Sequence, residues 1–103
     1  MSERNTLPQR RLAETFDLQH GGKRAVFQVT LGRYDDGRVG EVFISGAKAG
    51  TELDAVARDG AVLLSLALQY GVPLEVVRRA ITREADGAPS TVLGAVIDQL
   101  ASP

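Results

Sequence analysis

Two glycines bracketing a lone lysine, ahead of a hydroxyl and two carboxylates, make Gly46-Ala47-Lys48-Ala49-Gly50-Thr51-Glu52-Leu53-Asp54 the stretch of this 103-residue chain that comes nearest to a binding motif. Placed before a helix, its backbone N–H groups and the partial positive charge of the helix end converge on one point, the arrangement that holds a phosphate or other anion. Lys48, Gly50 and Thr51 are then the anion-binding candidates. The lysine precedes the second glycine, so the spacing is not that of a Walker loop. Glu52 and Asp54 repel an anion and themselves stabilise a helix start that Thr51 caps. Anion loop and plain capped helix both stay open.

The remaining polar groups offer less. His20 stands beside Gly21 and Gly22 with no motif around it and reads as a solvated turn residue. Asp35 and Asp36 form a carboxylate pair, but Asp-Gly is what a hairpin turn requires, and a calcium loop needs several more oxygens at set spacing. Arg78, Arg79 and Arg83 are interrupted by Glu75 and Glu84, a solvated face of mixed sign. Tyr34 with Arg33 and Arg38 suggests a patch for single-stranded nucleic acid, yet two tyrosines and no tryptophan make a poor stacking platform. With no cysteine there is no disulfide, no thiolate metal site and no cysteine nucleophile, and one histidine leaves no His cluster. No catalytic residue, metal site or cofactor is assigned.

These groups need elements to position them. The net charge is −1, from 12 basic and 13 acidic residues, with no run of like charge of the kind that marks a nucleic-acid tail. The longest apolar run, Gly60 to Leu68, is about half a membrane span, and the expectation is a soluble cytoplasmic protein. Residues 1–9 lack periodicity and read as a flexible arm, followed by a single domain over 10–103. Period-two alternation from Arg10 through Leu18, again over Ala25 to Arg33 with Phe27, Val29 and Leu31 on one face, and over Val39 to Ser45 predicts three strands. His20-Gly21-Gly22-Lys23 and Tyr34-Asp35-Asp36-Gly37-Arg38 supply the hairpin turns.

At Gly46 the period becomes helical. A helix from Glu52 to the Gly71 cap carries a stripe of Leu53, Val56, Ala57, Gly60, Leu64, Ala67 and Leu68, and Val62, Leu63 and Leu66 extend apolarity around its second half. Such a helix is expected to be wet on no side. Pro73 opens a second helix with Leu74, Val77, Ala80 and Ile81 inward, and Ser90 caps a third striped by Val92, Leu93, Val96, Ile97 and Leu100. The fold class is α+β, a three-stranded antiparallel meander followed by two to three helices packed on one face. A chain this short buries a modest core, so a homodimer joined through Leu63 and Leu66 is expected.

Three segments then look familiar. Gly40-Glu41-Val42-Phe43-Ile44-Ser45, Lys48-Ala49-Gly50-Thr51-Glu52 and Ser65-Leu66-Ala67-Leu68-Gln69-Tyr70-Gly71-Val72-Pro73-Leu74-Glu75 resemble the TSCPD domain over roughly residues 38 to 100. That domain accompanies adenosylcobalamin-dependent ribonucleotide reductases near their C-terminus and also occurs free-standing. The motif that names the family contains a cysteine, and Ala88-Pro89-Ser90-Thr91, where it belongs, has none. Reduction of ribonucleotides requires thiols as radical and redox groups, so the resemblance implies a non-catalytic accessory or regulatory module. Its partner is expected to be a ribonucleotide reductase or other protein. The alternative is a nucleotide- or nucleic-acid-binding domain that uses the Gly46–Thr51 loop.

Overall fold

Alternating apolarity builds the sheet as read. In the computed structural model, which describes residues 3–21, 25–46 and 50–101, β1 (Ala13–Gln19), β2 (Val26–Arg33) and β3 (Val39–Ser45) pair antiparallel in the order β1-β2-β3. The register sets Phe16 opposite Val29, Leu18 opposite Phe27, Val29 opposite Ile44 and Leu31 opposite Val42. Because successive side chains alternate, all of these residues share one face and enter the core. The other face keeps Thr15 and Thr30, whose hydroxyls bond at 3.0 Å, and Phe43. β1 begins at Ala13, three residues later than the alternation suggests, and Leu12 is exposed. Glu14, the exception in that alternation, forms an ion pair with Arg33.

The turns follow their glycines. Gly37 takes φ +90° in a turn closed by Tyr34 N–H donating to Arg38 C=O at 2.9 Å. Gly21 takes φ +81°, while Gly22, Lys23 and Arg24 of the other expected turn lie outside the described residues.

Three helices cover the apolar face: α1 (Glu52–Gln69), α2 (Leu74–Ala80) and α3 (Val92–Ala101). Ala57, Ala61 and Leu64 of α1 and Val92, Val96 and Ile97 of α3 join the sheet residues in one core. α1 starts where expected, with Thr51 Oγ1 accepting from Asp54 N–H at 3.2 Å, and Gly71 at φ +89° follows its end. Among the described residues no helix is long and apolar enough to cross a membrane.

Several expectations are corrected. The inner stripe of α1 is Asp54, Ala57, Ala61, Leu64 and Gln69, and Leu53, Val56, Val62 and Leu63 are exposed, so the helix is wet along its outer side. The small Ala57 and Ala61 allow the helix to approach the sheet closely, which turns the larger Leu53 and Val56 away from it. No α2 residue is fully buried; Leu74 and Val77 are half-buried and Ala80 is exposed. Thr91, rather than Ser90, caps α3, accepting from Gly94 N–H at 3.0 Å, because Ser90 is held by Thr82 C=O and Glu84. Arg83 lies beyond α2 and grips Asp98 of α3 with two bonds at 2.7 and 2.8 Å.

Candidate functional site

β3 is an edge strand, and an edge presents N–H and C=O groups without a partner strand. α1 supplies that partner with side chains. Gly46 N–H donates to Asp54 Oδ1 at 2.6 Å, Val42 N–H donates to Ser65 Oγ at 2.8 Å, and Gln69 Nε2 donates to Gly40 C=O at 2.9 Å. Strand numbers fall while helix numbers rise, so α1 runs antiparallel along the edge. Asp54, Ser65 and Gln69 are spaced eleven and four residues apart on one helical face, a polar set within an apolar stripe. That signal is present in the sequence, and reading hydropathy alone passes over it.

Gln69 also anchors the segment ahead of β1. Its Oε1 accepts from Arg4 Nε at 2.7 Å and its backbone C=O from Asn5 N–H at 2.8 Å. Asn5 C=O accepts from the Tyr34 hydroxyl at 2.5 Å, and the Tyr34 ring lies where a Cβ on Gly40 would stand, 2.5 Å away. Arg4 and Asn5, in a stretch aperiodic in sequence, are thus tied to the end of α1 and to Tyr34. The Gln69-Tyr70-Gly71 part of the distinctive string ties strand, helix and N-terminal segment together.

Around the expected anion loop, the nearest anion is the protein's own. Asp54 is buried, and its carboxyl is held below the usual range above all by the Gly46 N–H, and also by Arg58 and the Gly50 backbone, while burial pushes the other way. Arg58 Nε donates to it at 3.0 Å. Gly50 takes φ +83°, Thr51 caps the helix, and Lys48 lies outside the described residues.

Other carboxylates are tied in the same way. Asp36 accepts from Arg38 N–H at 3.0 Å and Arg38 Nε at 2.7 Å, closing the hairpin turn. Glu75 is lowered from 4.5 to about 2 by Arg78 first and Arg79 second, and the Arg83 guanidinium lowers Asp98. A carboxylate whose folded pKa is depressed stabilises the fold above its ordinary pKa, and loses that contribution as pH falls through the folded value. The urea midpoint is therefore expected to stay level from neutral pH to about 4.5 and to fall on acidification towards about 2. Glu75→Gln removes part of that slope. A midpoint indifferent to pH across this range contradicts the assignment.

Among the hollows that the described residues form on the surface, two border residues singled out in the sequence. One, of about 400 Å³, is lined by Arg33, Tyr34 and Arg38 from the end of β2 and the turn after it, by Leu68 of α1, and by Val72 and Pro73 between α1 and α2. Its arginines are engaged within the fold: Arg33 with Glu14 and Gly37 C=O, and Arg38 with Asp36 and the Tyr34 ring, 4.9 Å away. The other, of about 420 Å³, lies between the first half of α1 and the start of α3, with Phe27, Leu53, Val56, Gly60 and Leu93 as walls and His20 among its lining. Of the two residues expected at an oligomer interface, Leu63 is 67% exposed and Leu66 is half-buried.

A three-stranded sheet covered on one face by helices, with its inner polar groups spent on an edge strand and no cysteine anywhere in the chain, defines a small α+β module. The chain belongs to the TSCPD domain family, which matches residues 3–102. It is 42% identical over 82 residues to a vitamin B12-dependent ribonucleotide reductase of Bradyrhizobium diazoefficiens, covering 80% of this chain. Similar proteins of that name occur in Agrobacterium fabrum, 41% identical over 80 residues and 78% of the chain, and in Rhodopirellula baltica, 40% over 74 residues and 72%. The matched segment spans 6%, 6% and 7% of these relatives' lengths. No solved structure matches the chain.

Proposed function

We propose that this chain is a non-catalytic accessory or regulatory module related to ribonucleotide reductase, acting in the cytoplasm through protein contacts in deoxyribonucleotide metabolism. One observation carries the reading: the chain matches about a twentieth of the length of reductases while lacking any cysteine. Thiols are what a reductase spends on each turnover. Exposed surface takes the place of chemistry, for Leu53, Val56, Val62 and Leu63 leave the outer side of α1 apolar, and such patches mark interaction sites. The nucleotide reading of Lys48, Gly50 and Thr51 gains nothing from a loop whose Gly46 N–H is held by Asp54.

The test has two arms. Purified protein with adenosylcobalamin, a dithiol and ribonucleotide is expected to form no deoxyribonucleotide above a no-protein control; turnover overturns the non-catalytic half. Mixed with the vitamin B12-dependent reductase of its source organism, the chain is expected to co-elute on gel filtration and to change the reductase's turnover. Separate elution with unchanged turnover overturns the reductase half.

A further inference from the structure

We infer that two copies of this chain pair through the outer face of α1, antiparallel about a two-fold axis between residues 61 and 62, with Gly60 of each copy receiving Leu63 of the other. The inner side of α1 is committed to the core and to the edge of β3. Leu53, Val56, Gly60, Leu63, Ala67 and Tyr70 remain on the next stripe around the helix. Their spacing is 3-4-3-4-3, the seam against which a second helix packs. Leu53, Val56, Leu63 and Tyr70 are 58%, 60%, 67% and 42% exposed in the single chain.

The seam reads the same in both directions, and this selects a second copy as its occupant. An antiparallel copy centred on the midpoint meets every seam residue with another: Leu53 with Tyr70, Val56 with Ala67, Gly60 with Leu63. The two inner pairs each set a large side chain against a small one, which lets helices interlock without void or clash. Gly60 lies in the 420 Å³ hollow walled by Leu53, Val56 and Leu93; the Leu93 side chain stands 3.0 Å from where a Cβ on Gly60 would be, so Leu63 of the second copy enters the apolar hollow beside Leu93.

Charge chooses the direction. Glu52, Asp54, Arg58 and Asp59 all lie in the first half of α1, and residues 60–70 carry no charge. Parallel pairing gathers Glu52, Asp54 and Asp59 of both copies at one end. Antiparallel pairing sets them beside the uncharged half of the second copy and opposes the two helix dipoles, each N-terminus lying by the other's C-terminus. The pairing covers Leu53, Val56 and Leu63 and leaves exposed Val62, off the seam, and the rest of the module's surface for contact with a reductase.

The chain has no cysteine, so introduced thiols are the only ones present. Val56→Cys and Ala67→Cys, made separately, mixed and oxidised, are expected to give a disulfide joining one of each. Neither is expected to link to itself, because the two copies of position 56 stand eleven residues apart along the pair, about 16 Å, whereas a disulfide needs Cα atoms within about 7 Å. The unmodified chain is expected to sediment as a dimer. Sedimentation as a monomer overturns the pairing, as does Val56→Cys linking to itself or a dimer that gives no mixed disulfide. Where a cysteine variant loses its helical circular dichroism, Leu63→Glu at its exposed position takes its place. A folded monomer supports the pairing, and a folded dimer overturns it.

Discussion

Gln69→Leu is expected to lower the unfolding free energy by about 1–3 kcal/mol for each buried polar group it leaves without a partner, read by urea denaturation. Gln69 is itself buried, so its amide cannot trade these bonds for water. Leucine keeps a comparable volume, and the loss is therefore one of hydrogen bonding rather than of packing. Gly40 C=O, buried at the strand edge, loses its donor, whereas exposed Arg4 exchanges its acceptor for water. Gln69→Glu is a sharper version: the carboxylate still accepts from Arg4 but places a second acceptor against the Gly40 carbonyl. A Gln69→Leu chain within about 0.5 kcal/mol of the unmodified one, the range of an ordinary surface change, contradicts the role of Gln69 as the anchor of strand, helix and N-terminal segment.

That anchor shows where the sequence stops being legible. Phe27, Val29 and Leu31 alternate cleanly, and strands with one buried face must show that period, so the sheet and its inner face are readable in advance. Thr51 and Gly71 mark the ends of α1 because a helix start needs a side-chain acceptor and its end tolerates a left-handed residue. The rotation of α1 about its axis is a different matter. The chain carries two adjacent apolar stripes, one through Ala57, Ala61 and Leu64 and one through Leu53, Val56 and Leu63, and hydropathy merges them: the expected stripe takes Ala57 and Leu64, which are buried, together with Leu53 and Val56, which are exposed. The inward stripe is fixed by Asp54, Ser65 and Gln69, polar residues that turn inward because an edge strand offers them backbone partners.

The same limit applies to pairings distant in sequence. Arg83 and Asp98 lie fifteen residues apart, and no local pattern connects them; only the packing of α3 beside the end of α2 does. At the Gly46–Thr51 loop, spacing shows donors near a helix start but not that Asp54, three residues into that helix, folds back to accept from Gly46.

Ile97→Ala and Leu63→Ala separate the two kinds of apolar residue that hydropathy treats alike. Ile97 of α3 is fully buried in the core with Val29, Val42 and Val96, and truncating it is expected to cost about 2–5 kcal/mol through lost burial and the cavity left behind. That cost belongs to the single chain and does not vary with protein concentration. Leu63 is two-thirds exposed, so in a lone chain its truncation falls within about 0.5 kcal/mol. Between paired chains Leu63→Ala removes contact area from an interface, and association stabilises only the folded form by mass action. The gap between unmodified and Leu63→Ala chains is thus expected to widen as protein concentration rises, while the Ile97→Ala gap does not depend on it. Urea unfolding over a wide concentration range reads both. A small Ile97→Ala effect takes α3 out of the core, and a large, concentration-independent Leu63→Ala effect puts Leu63 inside it.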